Sequence, residues 1–203
     1  VDTELLRPAD RMTSYRAELG IGEGPVVLYA GNVGFSQSLE LLVEAARRCP
    51  HITFVINGDG AARTSLESDA AGLANVRFVG FQTIERLPEV LATGDVHVGP
   101  LRAGLGDVSV PSKTYSSLAV ARPVVASIDP GTEIPRLLTA AGAGVSVDPN
   151  DATAFTEAIR ALVDDPRRAA RLGESGRRWV VAEASPQAVG AAYHQLMTDI
   201  IDE

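Results

Sequence analysis

The sequence predicts an α/β protein in which a doubly wound, parallel, six-stranded sheet is followed by extra C-terminal helices. Two patterns support this fold class. Six short apolar runs rich in β-branched residues alternate with segments of helical periodicity, which is typical of successive strand–helix–strand units. Past about residue 150 the helical periodicity continues without another strand-like run. We therefore expect the strand order 3-2-1-4-5-6, with the helices beyond Pro166 packed on the outside.

The predicted strands are short and apolar at successive positions, which is typical of strands buried on both faces of a sheet. Gly31 follows the first strand, Asn57 the second and Gly80 the third. The six strands are residues 25–30, 52–56, 76–79, 96–99, 124–127 and 144–147.

Polar residues that can cap helices mark the predicted helix starts. Ser36 or Ser38 is expected to cap the first helix after a strand. Thr83 is expected to begin another helix, and Ser112 to cap the helix that ends before Pro123. Further helices are predicted over residues 133–141 and 151–163, and from the pairs Asp165-Pro166 and Ser185-Pro186, which place proline at a first helical position.

Composition excludes several classes of function. The 203 residues carry a formal net charge of −8, which argues against a general nucleic-acid binder, although a local anion pocket remains compatible with it. Cys49 is the only cysteine and the three histidines are scattered, so neither a disulfide nor a metal site is expected. No apolar run approaches the ~18 residues of a membrane span, and we expect a cytoplasmic protein.

Ligands of doubly wound sheets bind beyond the carboxyl ends of the strands, so the loops there hold the candidate site. Gly31 and Gly34 follow the first strand, and two glycines let backbone N–H groups approach a phosphate. The spacing alone fits a plain tight turn equally well. The dinucleotide fingerprint is absent and Asn57 rather than an acid follows the second strand, which disfavours NAD.

Lys113 stands in the first turn of a predicted helix, directly after Pro111 and Ser112. A cation there opposes the helix dipole, which favours a bound anion over the simpler reading of a solvated surface lysine. Asp107 and Glu133 flank this helix, but nothing in the sequence pairs them as acid and base. The catalytic residues are therefore not identified from the sequence.

Four stretches resemble the C-terminal domain of GT-B glycosyltransferases of the large group-four family, above all the subgroup that builds O-antigen and capsule sugars. The resemblance runs in order along nearly the whole chain and implies the Rossmann-like half of a GT-B fold. The stretches are residues 27–34 with 39–42, 55–60, 75–81 with 91–96, and 111–113 with 118–127.

The resemblance implies a nucleotide-diphosphate sugar as donor, a hexose-type sugar transferred with retention, and no cofactor or metal. Many members carry Arg and Lys where this chain has Asn32 and Gln37, and paired glutamates where it has Val108 and Ser116. Lys113 and Arg102 are expected to supply the missing positive charge. The implied donor-binding residues are Gly31, Asn32, Gly34, Gln37, Gly58, Gly80, Phe81, Arg102, Ser112, Lys113, Thr114 and Ser116.

The same resemblance divides the chain. Residues 1–24 are expected to connect to an N-terminal domain outside this sequence, residues 25–165 to bind the donor, and residues 166–203 to form helices packed on it. An acceptor glycan or lipid is expected on the N-terminal domain, with peripheral membrane contact of the full-length enzyme. Two alternatives remain, a non-catalytic nucleotide- or partner-binding module and a sugar-nucleotide epimerase.

Overall fold

The computed structural model describes residues 1–202 and contains a six-stranded parallel sheet in the order β3-β2-β1-β4-β5-β6. The predicted fold class and strand order are confirmed. The second strand lies one residue later than predicted, and the other boundaries agree within one residue. The strands are β1 Val26–Ala30, β2 Thr53–Asn57, β3 Val76–Val79, β4 Val96–Pro100, β5 Val124–Ser127 and β6 Gly144–Val147.

Helices cover both faces of the sheet and continue beyond it. A single 3₁₀ turn, Ile84–Arg86, precedes α4. The helices are α1 Ser14–Glu18, α2 Glu40–Arg48, α3 Arg63–Asp69, α4 Leu87–Thr93, α5 Lys113–Ala119, α6 Glu133–Ala141, α7 Ala152–Val163, α8 Pro166–Glu183 and α9 Pro186–Asp202.

The core consists of two apolar layers, one on each side of the sheet. Alternate residues of β1 enter opposite layers, since Leu28 packs in the layer of Leu118 from α5. Tyr29 packs with Leu42 from α2 in the other layer. Helices α2 and α5, which follow the adjacent strands β1 and β4, therefore cover opposite faces of the sheet. The strand order reverses between β1 and β4.

Three of the predicted helix starts are capped by their side chains. Asp151 accepts a hydrogen bond from the Ala154 amide at the start of α7. Asp165 accepts one from the Arg168 amide, with proline at the next position, at the start of α8. The hydroxyl of Ser185 caps α9 in the same way. Carboxylate and hydroxyl caps satisfy amides that have no partner inside the helix.

The caps predicted for α2 and α5 are wrong. Helix α2 begins at Glu40, and neither Ser36 nor Ser38 bonds its first amides. The Ser36 hydroxyl instead accepts a hydrogen bond from Gln37 Nε2. Ser112 does precede α5, but its backbone is helical, with φ −58° and ψ −25°. A capping side chain needs extended backbone to fold back onto the helix, so the Ser112 hydroxyl stays free for other partners.

The N-terminal residues are bound to the body of the domain. Leu6 and Tyr15 belong to one of the two core layers. The Val1 ammonium donates to the carbonyl of Ala184, where α8 ends, at 2.7 Å. Arg177 of α8 donates to backbone carbonyls of the N-terminal segment. Residues 1–24 and α8 are thus fastened to each other, while the predicted division into three units remains a prediction.

Helix α9 contacts α8 and is exposed along most of its length. Several of its exposed apolar side chains recur three or four residues apart and form one stripe. None of the described helices is long and apolar enough to cross a membrane. The exposed apolar side chains of α9 are Val189, Tyr193, Leu196, Met197, Ile200 and Ile201.

Candidate functional site

A cavity of about 490 Å³ opens at the carboxyl ends of β1, β2 and β4, where the strand order reverses. Its wall is completed by the segment after β3, the segment before α5 and the first turns of α5. Seven of the twelve residues implied by the resemblance line it: Gly31, Asn32, Gln37, Phe81, Ser112, Lys113 and Ser116.

The other five implied residues lie off this wall and remain sequence-based predictions. Arg102 is exposed, bonded to the Phe35 carbonyl and 3.3 Å from a carboxylate oxygen of Glu40. Its positive charge is therefore engaged outside the cavity. The remaining four are Gly34, Gly58, Gly80 and Thr114, of which Thr114 is buried with an unbonded hydroxyl.

Two glycines shape the loop that follows β1. Gly31 has φ +147° and Gly58 has φ +153°, conformations that side chains rarely adopt. A Cβ on Gly58 would lie 1.8 Å from the Gly31 carbonyl oxygen, so the loops after β1 and β2 pack backbone against backbone. Gly58 thus packs against the backbone of Gly31, on the side of the loop that faces away from the cavity.

The amides of this loop are mostly bonded within the protein. The Gly31 amide donates to Asn57 O at 2.9 Å, and the Val33 amide donates to Asp59 O at 2.8 Å. The Gly34 amide donates to Gln37 Oε1 at 3.1 Å. Within the described residues, the loop amides without a partner are those of Asn32, Phe35 and Ser36. Of these three residues only Asn32 lines the cavity, so the expected cradle of backbone donors is reduced there to the Asn32 amide.

Asn32 and Gln37 occupy the positions where many relatives of this kind carry two cations. Here the Asn32 carboxamide donates to Gln37 Oε1 at 3.4 Å, so the pair is neutral and mutually bonded. Lys113 supplies the cation of the cavity, and no aspartate or glutamate of the described chain lines the wall. An acidic protein thus presents a cavity whose one formal charge is positive, which favours an anionic ligand.

Lys113 is the first residue of α5, and its Nζ donates to the Tyr29 hydroxyl at 2.5 Å. The same nitrogen lies 4.0 Å from the centre of the Tyr29 ring. No carboxylate lies within salt-bridge distance of it in the part of the chain described. Desolvation by burial lowers the pKa of Lys113 to about 8. An anion in the cavity would stabilise this ammonium and raise the pKa of Lys113 again.

Asn57 is a cavity residue that sequence reasoning did not assign to the site. It ends β2, and its carboxamide oxygen accepts a hydrogen bond from the buried Tyr15 hydroxyl at 2.5 Å. Asn57 Nδ2 makes no hydrogen bond to a described atom. It is not one of the buried polar atoms that lack a partner, so it is accessible from the cavity. The feature of the sequence that points to Asn57 is its position as a polar residue directly after an apolar strand.

His97 of β4 also lines the cavity and was not predicted from the sequence. Its Nε2 donates to the Leu91 carbonyl at 2.9 Å, so its Nδ1 accepts from the Ser117 hydroxyl at 2.7 Å. Desolvation by burial lowers the pKa of His97 to about 3. The ring is therefore neutral near pH 7 and ties β4 to α5, the helix that carries Lys113.

Acid is expected to destabilise the fold through His97. Between pH 6.5 and 4.5 the unfolded histidine takes up a proton that the folded one, with its lowered pKa, does not. The free energy of unfolding should therefore fall with decreasing pH, by up to about 1.4 kcal/mol per pH unit from this group. The free energy of unfolding, measured with urea at several pH values, should depend less steeply on pH in His97→Gln than in the unsubstituted protein. The variant His51→Gln, at an exposed position, should keep the pH dependence of the unsubstituted protein. Equal slopes for all three proteins would contradict this assignment.

Comparison with known proteins identifies the family. A family model described as "Glycosyl transferases group 1" matches residues 24–165. The chain belongs to this family. The predicted family resemblance is thereby confirmed, and the matched residues hold the whole cavity wall.

Curated relatives of this group 1 domain are longer than the chain, which spans between 34% and 54% of the three relatives that follow. The putative colanic acid biosynthesis glycosyl transferase WcaI of Escherichia coli is 36% identical over 140 residues, 66% of the chain and 34% of its own length. The alpha-D-kanosaminyltransferase of Streptomyces kanamyceticus is 32% identical over 89% of the chain and 47% of its own length. A GDP-mannose-dependent alpha-(1-6)-phosphatidylinositol monomannoside mannosyltransferase of Mycolicibacterium smegmatis is 31% identical over 98% of the chain and 54% of its own length.

Solved structures share the fold of the group 1 domain. Anabaena HepE in complex with UDP-glucose superposes with a TM-score of 0.84 at 16% identity, over 98% of this chain and 56% of that one. The C-terminal domain of the group 1 protein LpcC from Francisella tularensis gives a TM-score of 0.74 at 20% identity, over 92% of this chain and 99% of that one. The second match shows that a domain of this extent has been crystallised apart from the rest of its protein.

Proposed function

We propose that this group 1 domain is the donor-binding part of a retaining glycosyltransferase and holds a nucleotide-diphosphate sugar in the cavity at the carboxyl ends of β1, β2 and β4. The observation that carries the proposal is a cavity whose described lining residues include one cation, Lys113, and no carboxylate. A diphosphate is the part of such a donor that requires positive charge.

The relatives support the same class of ligand. HepE was crystallised with UDP-glucose, and the mycobacterial relative is named for its dependence on GDP-mannose. A hexose-type sugar would pass to a glycan or lipid-linked acceptor held by a part of the protein outside this chain. The reaction would run in the cytoplasm, with peripheral membrane contact of the full-length enzyme and without a metal or cofactor.

The cavity can assist the chemistry by stabilising the leaving group. Lys113 has three N–H donors and gives one to Tyr29, which leaves two for phosphate oxygens. Negative charge grows on the diphosphate as its bond to the sugar breaks, and a fixed cation in a partly dry site stabilises that charge. The hydroxyls of Ser112 and Ser116, which also line the cavity, can donate to phosphate or ribose oxygens.

A second candidate is a nucleotide-binding module that does not transfer sugar. Its support is the loss of both paired glutamates, since the wall carries Ser116 at one position and Val108 is 79% exposed at the other. Nucleotide binding by the domain, together with absence of sugar transfer by the full-length protein, would favour the module.

Calorimetric titration of this chain with UDP, GDP and ADP and with their sugar conjugates tests the proposal. Saturable one-to-one binding of one nucleotide class is the expected result, with Lys113→Met weaker and Arg171→Gln unchanged. Arg171 is an exposed cation on α8, so its substitution matches the change in net charge. Absence of saturable binding by every compound at matched salt would overturn the proposal.

The affinity for a nucleoside diphosphate should fall as the pH rises through about 8. The ligand binds the ammonium form of Lys113, whose pKa is about 8 without ligand and rises in the complex. At pH 9 only about a tenth of the unliganded protein carries this charge, so the dissociation constant should be about tenfold larger than at pH 7. Calorimetry at the two pH values measures it, and a constant affinity would contradict the role of Lys113.

A further inference from the structure

Tyr29 connects the cation of the cavity to the loop that follows β1. Its hydroxyl accepts the hydrogen bond from Lys113 Nζ and donates one to the Asn32 carbonyl, each at 2.5 Å. The ring is fully buried in the core layer of α2, and the ammonium lies 4.0 Å from its centre. One rigid side chain thus contacts both α5 and the loop.

The surroundings of Lys113 leave its ammonium dependent on this contact. A Cβ on Gly31 would lie 3.3 Å from Lys113 Cε and Nζ, so the glycine provides the space that the lysine occupies. The titratable neighbours are Tyr29, which burial keeps neutral by raising its pKa, and His97, which burial keeps neutral by lowering its pKa. No ion pair among the side chains that the structure describes, those of residues 1–201, shares the charge.

We infer that Tyr29 is a positioning residue. It fixes the Lys113 ammonium against the loop that follows β1 and directs the remaining N–H groups of Lys113 into the cavity before any ligand binds. This inference rests on the proposed function for its purpose, since the ligand it prepares for is a diphosphate. A lysine has four rotatable bonds, and holding it in advance lowers the entropic cost of binding.

Tyr29→Phe separates positioning from simple packing, because it keeps the ring and removes the hydroxyl. The hydroxyl stabilises the ammonium, so its loss should lower the pKa of Lys113 by about 0.5 to 1 unit. A variant that merely loosened the site would admit water and shift the pKa upward, towards its usual range. The direction of the shift therefore distinguishes the two roles.

Lys113 is the only lysine of the chain, so protein grown with ¹³C,¹⁵N-lysine gives one set of side-chain signals. Titration of the Cε signal without nucleotide should give a midpoint near 8 for the unsubstituted protein and a lower one for Tyr29→Phe. Tyr115→Phe is the matched control, because Tyr115 lies on the same helix, off the cavity wall, and its hydroxyl makes no hydrogen bond to described residues. An unchanged or raised midpoint in Tyr29→Phe, or an equal drop in Tyr115→Phe, would overturn the inference.

A measurement on the unsubstituted protein covers the case in which Tyr29→Phe does not fold. An ammonium 2.5 Å from the Tyr29 hydroxyl and 4.0 Å from the ring centre places the Lys113 Cε protons close to the ring edge, so nuclear Overhauser effects to the Tyr29 ring protons are expected. Absence of these effects would contradict the contact. Both measurements are made without ligand, so they can fail while nucleotide binds, or succeed while it does not. In a folded variant that binds, the dissociation constant for the preferred nucleotide should rise about three- to tenfold.

Discussion

Substitution of Lys113 by Met is expected to weaken binding of a nucleoside diphosphate by about 1.5–3 kcal/mol, or roughly 10- to 150-fold. The substitution removes the one cation of the cavity and keeps a side chain of similar length. Without the ammonium, the fall in affinity between pH 7 and pH 9 should also disappear. Calorimetry at matched ionic strength measures both effects.

The variant also has an expected effect on the unliganded fold. Burial of an ammonium without a carboxylate partner is unfavourable, as its lowered pKa indicates. Lys113→Met should therefore leave the free energy of unfolding at pH 7 unchanged or raise it. Loss of affinity with equal or greater stability would assign the effect to the ligand contact, whereas equal affinity in both proteins would make Lys113 an ordinary buried side chain.

Gly58→Ala is expected to destabilise the domain by about 3 kcal/mol or more, because overpacking and a strained backbone combine at one position. The new Cβ would lie 1.8 Å from the Gly31 carbonyl oxygen, at φ +153°. This overlap can be removed only if the loop after β1 moves away from β2. The cavity should therefore lose its ligand affinity as well. Chemical denaturation and calorimetry test the two consequences.

Gly80→Ala is the matched control for this substitution. Gly80 follows β3 as Gly58 follows β2, yet a Cβ there meets no atom within 4 Å and its φ is not positive. Its free energy of unfolding should stay within about 0.5 kcal/mol of the unsubstituted value. A similar loss of stability in both variants would contradict the account of backbone packing between the two loops.

The fold was predictable because each strand is a continuous apolar run and each gap is long enough for a helix. Helix starts were less predictable. Asp151 and Asp165 cap their helices because their side chains meet free amides directly. Ser36 lies three residues before Leu39, the residue that directly precedes α2, so its hydroxyl is too early in the chain to cap that helix and accepts a hydrogen bond from Gln37 instead. Local sequence does not reveal the first residue of a helix to within a few positions.

The location of the cavity was predictable from the strand order, whereas several of its side-chain contacts were not. Tyr29 has the appearance of a core residue within an apolar strand, and its partner Lys113 lies 84 residues further along the chain. Arg102 was expected to contribute charge because the loop lacks Arg and Lys elsewhere. In the structure it pairs with Glu40 on α2, a contact that becomes visible only once the helix is placed.

A crystal structure of this chain with its tightest-binding nucleoside diphosphate tests the central claim most directly. We expect the diphosphate at the carboxyl ends of β1 and β4, with a phosphate oxygen within hydrogen-bond distance of Lys113 Nζ and the Lys113–Tyr29 contact kept. A nucleotide bound elsewhere on the domain, or bound in the cavity with Lys113 turned away from its phosphates, would contradict it.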